Sequence, residues 1–122
     1  MLTDILPVLC GYLSQLGLPF YLADCVPKGA RLPYLTADIQ APLRPGTEGS
    51  LTLTCWYAGE RSNTQRLSHA GQLEEIIPAR GRRLATGSGA VILIPEGGMQ
   101  CVSQHGAQGV VLHYHLHFFA NA

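Results

Sequence analysis

Charged side chains are scarce in this chain. Lys, Arg, Asp and Glu make up 13% of its 122 residues, about half the ~25% usual for a globular domain. So few charges leave a normal surface undersupplied, and a partner or sister subunit is the simplest cover for the remainder. A monomer with a surface rich in Ser, Thr, Gln and Gly is the alternative. Neither sign dominates: 8 basic and 8 acidic residues balance, which argues against a nucleic-acid-binding domain built on a basic patch. Long hydrophobic runs are missing as well. No segment reaches the roughly 20 apolar residues that span a bilayer. The stretch from Met1 to Leu18 is apolar, but it carries Asp4 and no basic start, so it does not read as a signal peptide. Cysteine is limited to Cys10, Cys25, Cys55 and Cys101. They are scattered, without zinc-type spacing, and each sits among apolar neighbours. Buried free thiols in a reducing cytoplasm are the expectation. Two disulfides would allow three connectivities, and no spacing selects one.

What is present is a 47% hydrophobic share in a chain of one-domain length. Such a chain buries about two-thirds of its unfolded surface, so it needs no metal or disulfide staple. Ile5, Leu6, Val8, Leu9, Leu13 and Leu16 recur at helical spacing, with Thr3 and Asp4 as caps and Gly17 and Pro19 as stops. The first helix is therefore expected over residues 3–16. Short apolar runs predict strands over 20–25 and 32–41, with a turn rich in Pro and Gly over 42–49. Leu51, Leu53 and Cys55 alternate with Thr52, Thr54 and Trp56, predicting a strand over 50–57. A capping box of Ser62 and Gln65 opens a second helix that runs to Ile77 and ends at Pro78. Residues 80–89, rich in Arg and Gly, read as a loop. Strands are expected over 90–94, 99–104 and 110–119, with a turn over 105–109. Runs of strands between helices predict one domain of α+β class: a mainly antiparallel sheet of about five to six strands with two helices packed on it.

The most chemical-looking feature is His113-Tyr114-His115-Leu116-His117. Alternation puts the three histidines on one face of a strand. Three ligands with an open position would make a metal site, so His113, His115 and His117 are the candidate ligands of a metal-binding module or enzyme. Two points favour a plain polar face instead. Same-face neighbours lie roughly 7 Å apart along a strand, and the carboxylate nearest in sequence is Glu96. Other chemistry has little support. No nucleophile elbow occurs. Gly87-Ser88-Gly89 precedes a strand instead of opening a helix, which reverses a phosphate loop. Glu74 and Glu75 point about 100° apart on a helix and form no dyad. Trp56 reads as core or interface. Arg80, Arg82 and Arg83 form the one basic cluster, of a kind more often solvated or paired with a neighbour's carboxylates. No enzyme activity and no cofactor are expected.

The stretch Cys25-Val26-Pro27-Lys28-Gly29-Ala30-Arg31-Leu32-Pro33-Tyr34-Leu35-Thr36 resembles a V-P-x-G-x-x-x-P-Y-hydrophobic motif of small tail proteins in long-tailed phages and prophages. The nearest group is the tail-terminator or tail-completion proteins, with the related minor capsid and neck proteins. The order of elements is similar, and so is the aromatic pair Trp56-Tyr57 followed by a polar loop. The histidine-alternating last strand is a departure from that pattern. The resemblance implies a structural, non-catalytic virion-assembly protein. It would form a homo-oligomeric ring, usually a hexamer, and dock onto tail-tube or neck proteins at the head–tail junction. It would act in the bacterial host cytoplasm during assembly and then in the virion tail or neck. The interface candidates are Pro27, Gly29, Pro33, Tyr34, Trp56, Arg80, Arg82 and Arg83. The loop over residues 80–89 would line the channel, in non-specific contact with passing DNA.

Overall fold

A computed structural model describes residues 2–40, 48–58, 63–87, 89–104 and 106–120. The chain opens with helix α1, Leu2–Leu13, extended by a 3-10 turn, Ser14–Leu16. Ile5, Leu9, Leu13 and Leu16 all lie on its buried side, as the i, i+4 and i, i+3 spacings dictate. Pro7 lies inside the helix on its exposed side. Gly17 ends the turn at φ 72°, its N–H donating to the Ser14 carbonyl at 3.0 Å. Strands β1 (Phe20–Leu22), β2 (Tyr34–Gln40) and β3 (Glu48–Ala58) follow, then helix α2 (Asn63–Ile76). The chain finishes with β4 (Arg82–Thr86), β5 (Gly89–Pro95), β6 (Gln100–Gln104) and β7 (Ala107–Ala120). The expectations for Ser62, for most of the 42–49 turn, for the polar loop after Tyr57 and for His105 lie outside the described residues.

The strands form one sheet in the order β1-β2-β3-β7-β5-β4, with β6 also on β7. β7 is the spine. β3 pairs with it antiparallel from Glu48↔His117 to Ala58↔Ala107. Its other edge is shared: β5 takes the C-terminal part and β6 the N-terminal part. One pairing, β1 with β2, is parallel. There the Ala23–Pro33 connection carries the chain back to restart β2 in the same direction as β1. The α+β class with a mostly antiparallel sheet holds. The additional strand is β4, and it corrects the loop expected over residues 80–89. Leu84 supplies the reason: it sits opposite Val91 and is 8% exposed, so a segment that reads as polar by composition anchors in the core. Gly81 makes the entry into β4 possible. Its φ is +96°, and a Cβ there would come within 3.2 Å of the Leu93 carbonyl oxygen.

Both helices cover the same side of the sheet. Leu51, Leu53, Leu93, Leu116 and Leu73 are fully buried between the layers, each worth about 1.5–3 kcal/mol of apolar transfer. The ends of the helices are tied together at one point. The Ile76 carbonyl accepts the Tyr12 hydroxyl from α1 and, at 3.2 Å, Nε of Arg82 from β4. The Arg82 guanidinium also lies 5.8 Å from the centre of the Tyr12 ring, a cation–π distance. The four thiols are free, but the expectation that all are buried fails. Only Cys55 is enclosed; Cys10, Cys25 and Cys101 are exposed. Each falls where the apolar pattern does not point inward: the outer side of α1, the β1–β2 connection and the edge strand β6. Among the described residues no helix is long and apolar enough to cross a membrane.

Candidate functional site

Because side chains alternate along a strand, burying one face of this sheet sends a second set of residues to the other. Among the described residues, no helix covers that second face. Tyr34, Thr36 and Asp38 reach it from β2, and Thr52, Thr54 and Trp56 from β3. Val111, His113, His115, His117 and Phe119 reach it from β7. The Ala23–Pro33 connection folds along one side and turns the sheet into a groove of about 550 Å³. Val26, Ala30 and Leu32 form its wall, Thr36, Thr54 and Trp56 line the sheet side, and Asp38 and Gln104 also border it. Thr36 and Thr54 are only 5% and 8% exposed, an enclosure unusual for hydroxyls on a nominally open face.

Trp56 is the centre of this surface. It sits directly opposite Tyr34 on β2 and opposite Gly109 on β7. Its indole Nε1 donates to Oγ1 of Thr36 at 3.1 Å. A Cβ on Gly109 would lie 3.0 Å from ring carbons of Trp56 and 3.0 Å from Cγ2 of Thr54. Any side chain at 109 would therefore press on the indole, and glycine is what lets the ring come so close to the β7 backbone. Tyr34 in turn meets Tyr21 of β1 edge-on, with centroids 5.6 Å apart at 81°, a favourable aromatic geometry.

The residues singled out from the sequence divide into two sets. Tyr34 and Trp56 come together as cross-strand partners. Pro33 precedes them, half-buried, and Pro27 and Gly29 lie exposed on the connection that walls the groove. The arginines do not form one cluster. Arg80 is exposed in the turn after α2. Arg82 pairs opposite Leu93 and turns to the helix side, while Arg83 pairs opposite Ile92 and turns to the uncovered face. Consecutive strand residues diverge in this way by geometry alone. Sequence reading missed Gly109, placed in a turn, and the wall residues Val26 and Leu32. A glycine inside a strand often marks close approach of another group, and that was the available signal.

The three histidines do share the uncovered face, each with its own neighbour. Nδ1 of His113 lies 3.2 Å from Oγ1 of Thr52. Nε2 of His115 lies 3.3 Å from Oε1 of Glu96, and Nδ1 of His117 lies 3.8 Å from Oε1 of Glu48. Folding thus supplies carboxylates that sequence proximity does not. Among the described residues, no three His, Cys, Asp or Glu side chains come together closely enough to hold a metal ion.

On the covered side, Cys55, Tyr57 and His69 could be mistaken for a catalytic group. Burial pushes the Cys55 thiol up to about 11, and a hydrogen bond with Tyr57 only partly offsets it. The reactive thiolate is therefore scarce at neutral pH. His69 lies 2.6 Å from the Tyr57 hydroxyl through Nδ1 and stacks on that ring at 5.6 Å. Burial lowers its pKa. These contacts pin α2 to the sheet. No protein-family model, curated protein or solved structure matches the chain.

Proposed function

We propose that this chain is a ring-forming assembly subunit of a long-tailed phage or prophage, of the tail-terminator or tail-completion kind. It works by contact with copies of itself and with tail-tube or neck proteins, not by catalysis. One observation carries the reading. Among the described residues the sheet has a face without a second layer, and that face presents Trp56, Tyr34, Val111 and Phe119, the last 50% exposed. A solvated face of an antiparallel sheet is ordinarily polar, whereas this one mixes aromatic and aliphatic groups with hydroxyls and histidines. The groove wall is the Cys25–Thr36 segment on which the resemblance to tail proteins rests. The feature that suggests the family therefore borders the surface that needs a partner.

A ring requires two different patches on each subunit, since head-to-tail contacts generate closed rotation. The uncovered face is one patch. The exposed basic turn at Arg80, after α2, supplies a second of different character. The scarcity of charge in the sequence suits a subunit that buries much of its surface in contacts. Arg80 and Arg83 remain available to a channel that passes DNA, whereas Arg82 is engaged with Tyr12 and Ile76.

The test is the mass of the purified chain by light scattering over a wide concentration range, with and without a tail-tube protein. A discrete closed oligomer, or stoichiometric binding to the tube protein, is expected. A strict monomer that ignores the tube protein rejects the reading. A metal-binding reading keeps one observation in its favour, the Glu96–His115 and Glu48–His117 pairs. Each offers two ligands, so a second copy would have to complete the site.

A further inference from the structure

A second cavity, of about 400 Å³, opens away from the groove, on the helix side. Ile77, Pro78 and Ala79 at the end of α2 form one wall, and the Pro95–Gly98 bend forms another. Leu112 and Tyr114 of β7 form the floor. The bend takes its shape from Gly97 and Gly98, at φ 87° and 72°, a conformation that other residues adopt only with strain. The volume falls within the range of small-molecule sites, and a mostly apolar lining with a few convergent polar groups is their usual character.

Two polar groups here make no hydrogen bond or ion pair among the described residues. Tyr114 is 2% exposed, yet its hydroxyl carries no hydrogen bond among the described residues. Among the described residues no fully enclosed side-chain oxygen or nitrogen goes unsatisfied, so this hydroxyl reaches the open space of the cavity that Tyr114 lines. Burial, then Cys55 and Glu74, raise the Tyr114 pKa, which keeps the phenol neutral. At the rim stands Glu74, exposed and outside both ion pairs seen among the described residues. The Glu74 carboxylate at the mouth repels an anion, and the neutral Tyr114 hydroxyl can accept a hydrogen bond as well as donate one. They would leave a purely apolar guest with an unpaired hydroxyl beside it, at a cost in affinity. A guest with N–H donors on a positive charge satisfies both groups.

We propose that this pocket binds an apolar ligand carrying one cationic amine. The apolar body lies against Ile77, Pro78 and Leu112. The amine donates to the Tyr114 hydroxyl and meets the Glu74 carboxylate. This site rests on its own geometry and not on the ring reading, and either can fail without the other.

The experiment is an amide-resolved NMR titration of the full chain with three matched probes: phenethylammonium, 3-phenylpropionate and ethylbenzene. Phenethylammonium should shift the amides of Ala79, Gly97 and Gly98 and saturate at low-millimolar concentration, on the order of 1 mM for a fragment of this size. The other two probes should bind at least about fivefold more weakly. Glu74→Gln changes an exposed side chain, and Tyr114→Phe removes only the hydroxyl, so both variants keep the fold. Each should weaken phenethylammonium by about tenfold or more, the loss expected for a charge-assisted hydrogen bond. Raising the protein concentration without probe separates the two sources of such an amine. Shifts at the same amides that phenethylammonium reverses would mean a Lys or Arg side chain of a second copy fills the pocket. No shifts would leave a free amine as the ligand. The proposal is overturned if the three probes bind equally, if none shifts these amides, or if both variants bind phenethylammonium like the parent.

Discussion

Replacing Gly109 with alanine tests how the uncovered face is built. The added Cβ would lie 3.0 Å from Trp56 ring carbons and from Thr54 Cγ2, where carbon atoms prefer about 3.5–4.0 Å. The indole must therefore lift by roughly half an ångström or more, and lifting strains or breaks its 3.1 Å bond to Thr36. Overpacking of this kind costs about 1–3 kcal/mol, and a lost neutral hydrogen bond about 1 kcal/mol. Against this, exchanging glycine for alanine reduces the unfolded chain's freedom and gains about 0.4–1 kcal/mol. The net expectation is a loss of about 1–3.5 kcal/mol. Gly71 is the control. It lies exposed in α2, with nothing within 4 Å of a Cβ, so Gly71→Ala should stabilise by up to about 1 kcal/mol. The same chemical change thus carries opposite signs at two sites. Urea unfolding read by fluorescence suits the comparison, because Trp56 is the chain's 1 tryptophan and reports its own displacement. The reasoning is refuted if Gly109→Ala is as stable as the parent with an unchanged emission maximum.

Three other outcomes follow from the same structure. A thiol reagent should label Cys10, Cys25 and Cys101 readily and spare Cys55 until the protein unfolds; labelling of four thiols in the native state would contradict the burial of Cys55. Burial lowers the His69 pKa from its ordinary 6.5, so the unfolded chain binds that proton more readily than the folded one. The contribution is complete above pH 6.5 and is lost as pH falls toward the lower folded value; His69→Gln should flatten this part of the stability–pH curve, and an unchanged slope would count against it. Metal analysis of chelator-free protein should find less than about a tenth of an equivalent, because no three-ligand site is formed among the described residues of one subunit; near-stoichiometric zinc, nickel or iron would favour the histidine-based reading.

How far the fold was legible depended on whether a signal was local. Leu51, Leu53 and Cys55 announce β3 because a half-buried strand writes its two faces into alternate positions. Ile5, Leu9 and Leu13 announce α1 in the same way. β4 did not announce itself, since Arg82 and Arg83 outweigh Leu84 in composition. Its strand character comes from pairing with β5 and from the inward turn of Leu84. The candidate site was legible as residues but not as a surface. Tyr34 and Trp56 stood out, but their direct pairing is a matter of register. So is the meeting of Trp56 with Gly109, and of His117 with Glu48. These contacts join positions far apart in the chain, and period-two patterning carries no information about which strand lies beside which. The exposed cysteines were misread for a related reason: apolar neighbours in sequence do not say which side of an element a thiol occupies.

The proposed function requires that another protein chain cover the uncovered face. Native mass spectrometry of the purified chain, with light scattering across a hundredfold concentration range, tests it most directly. The account predicts a single closed oligomer of fixed subunit number, or, if the chain assembles only on its target, a stoichiometric complex with a tail-tube protein. A monomer at every concentration that also fails to bind the tube protein would contradict it.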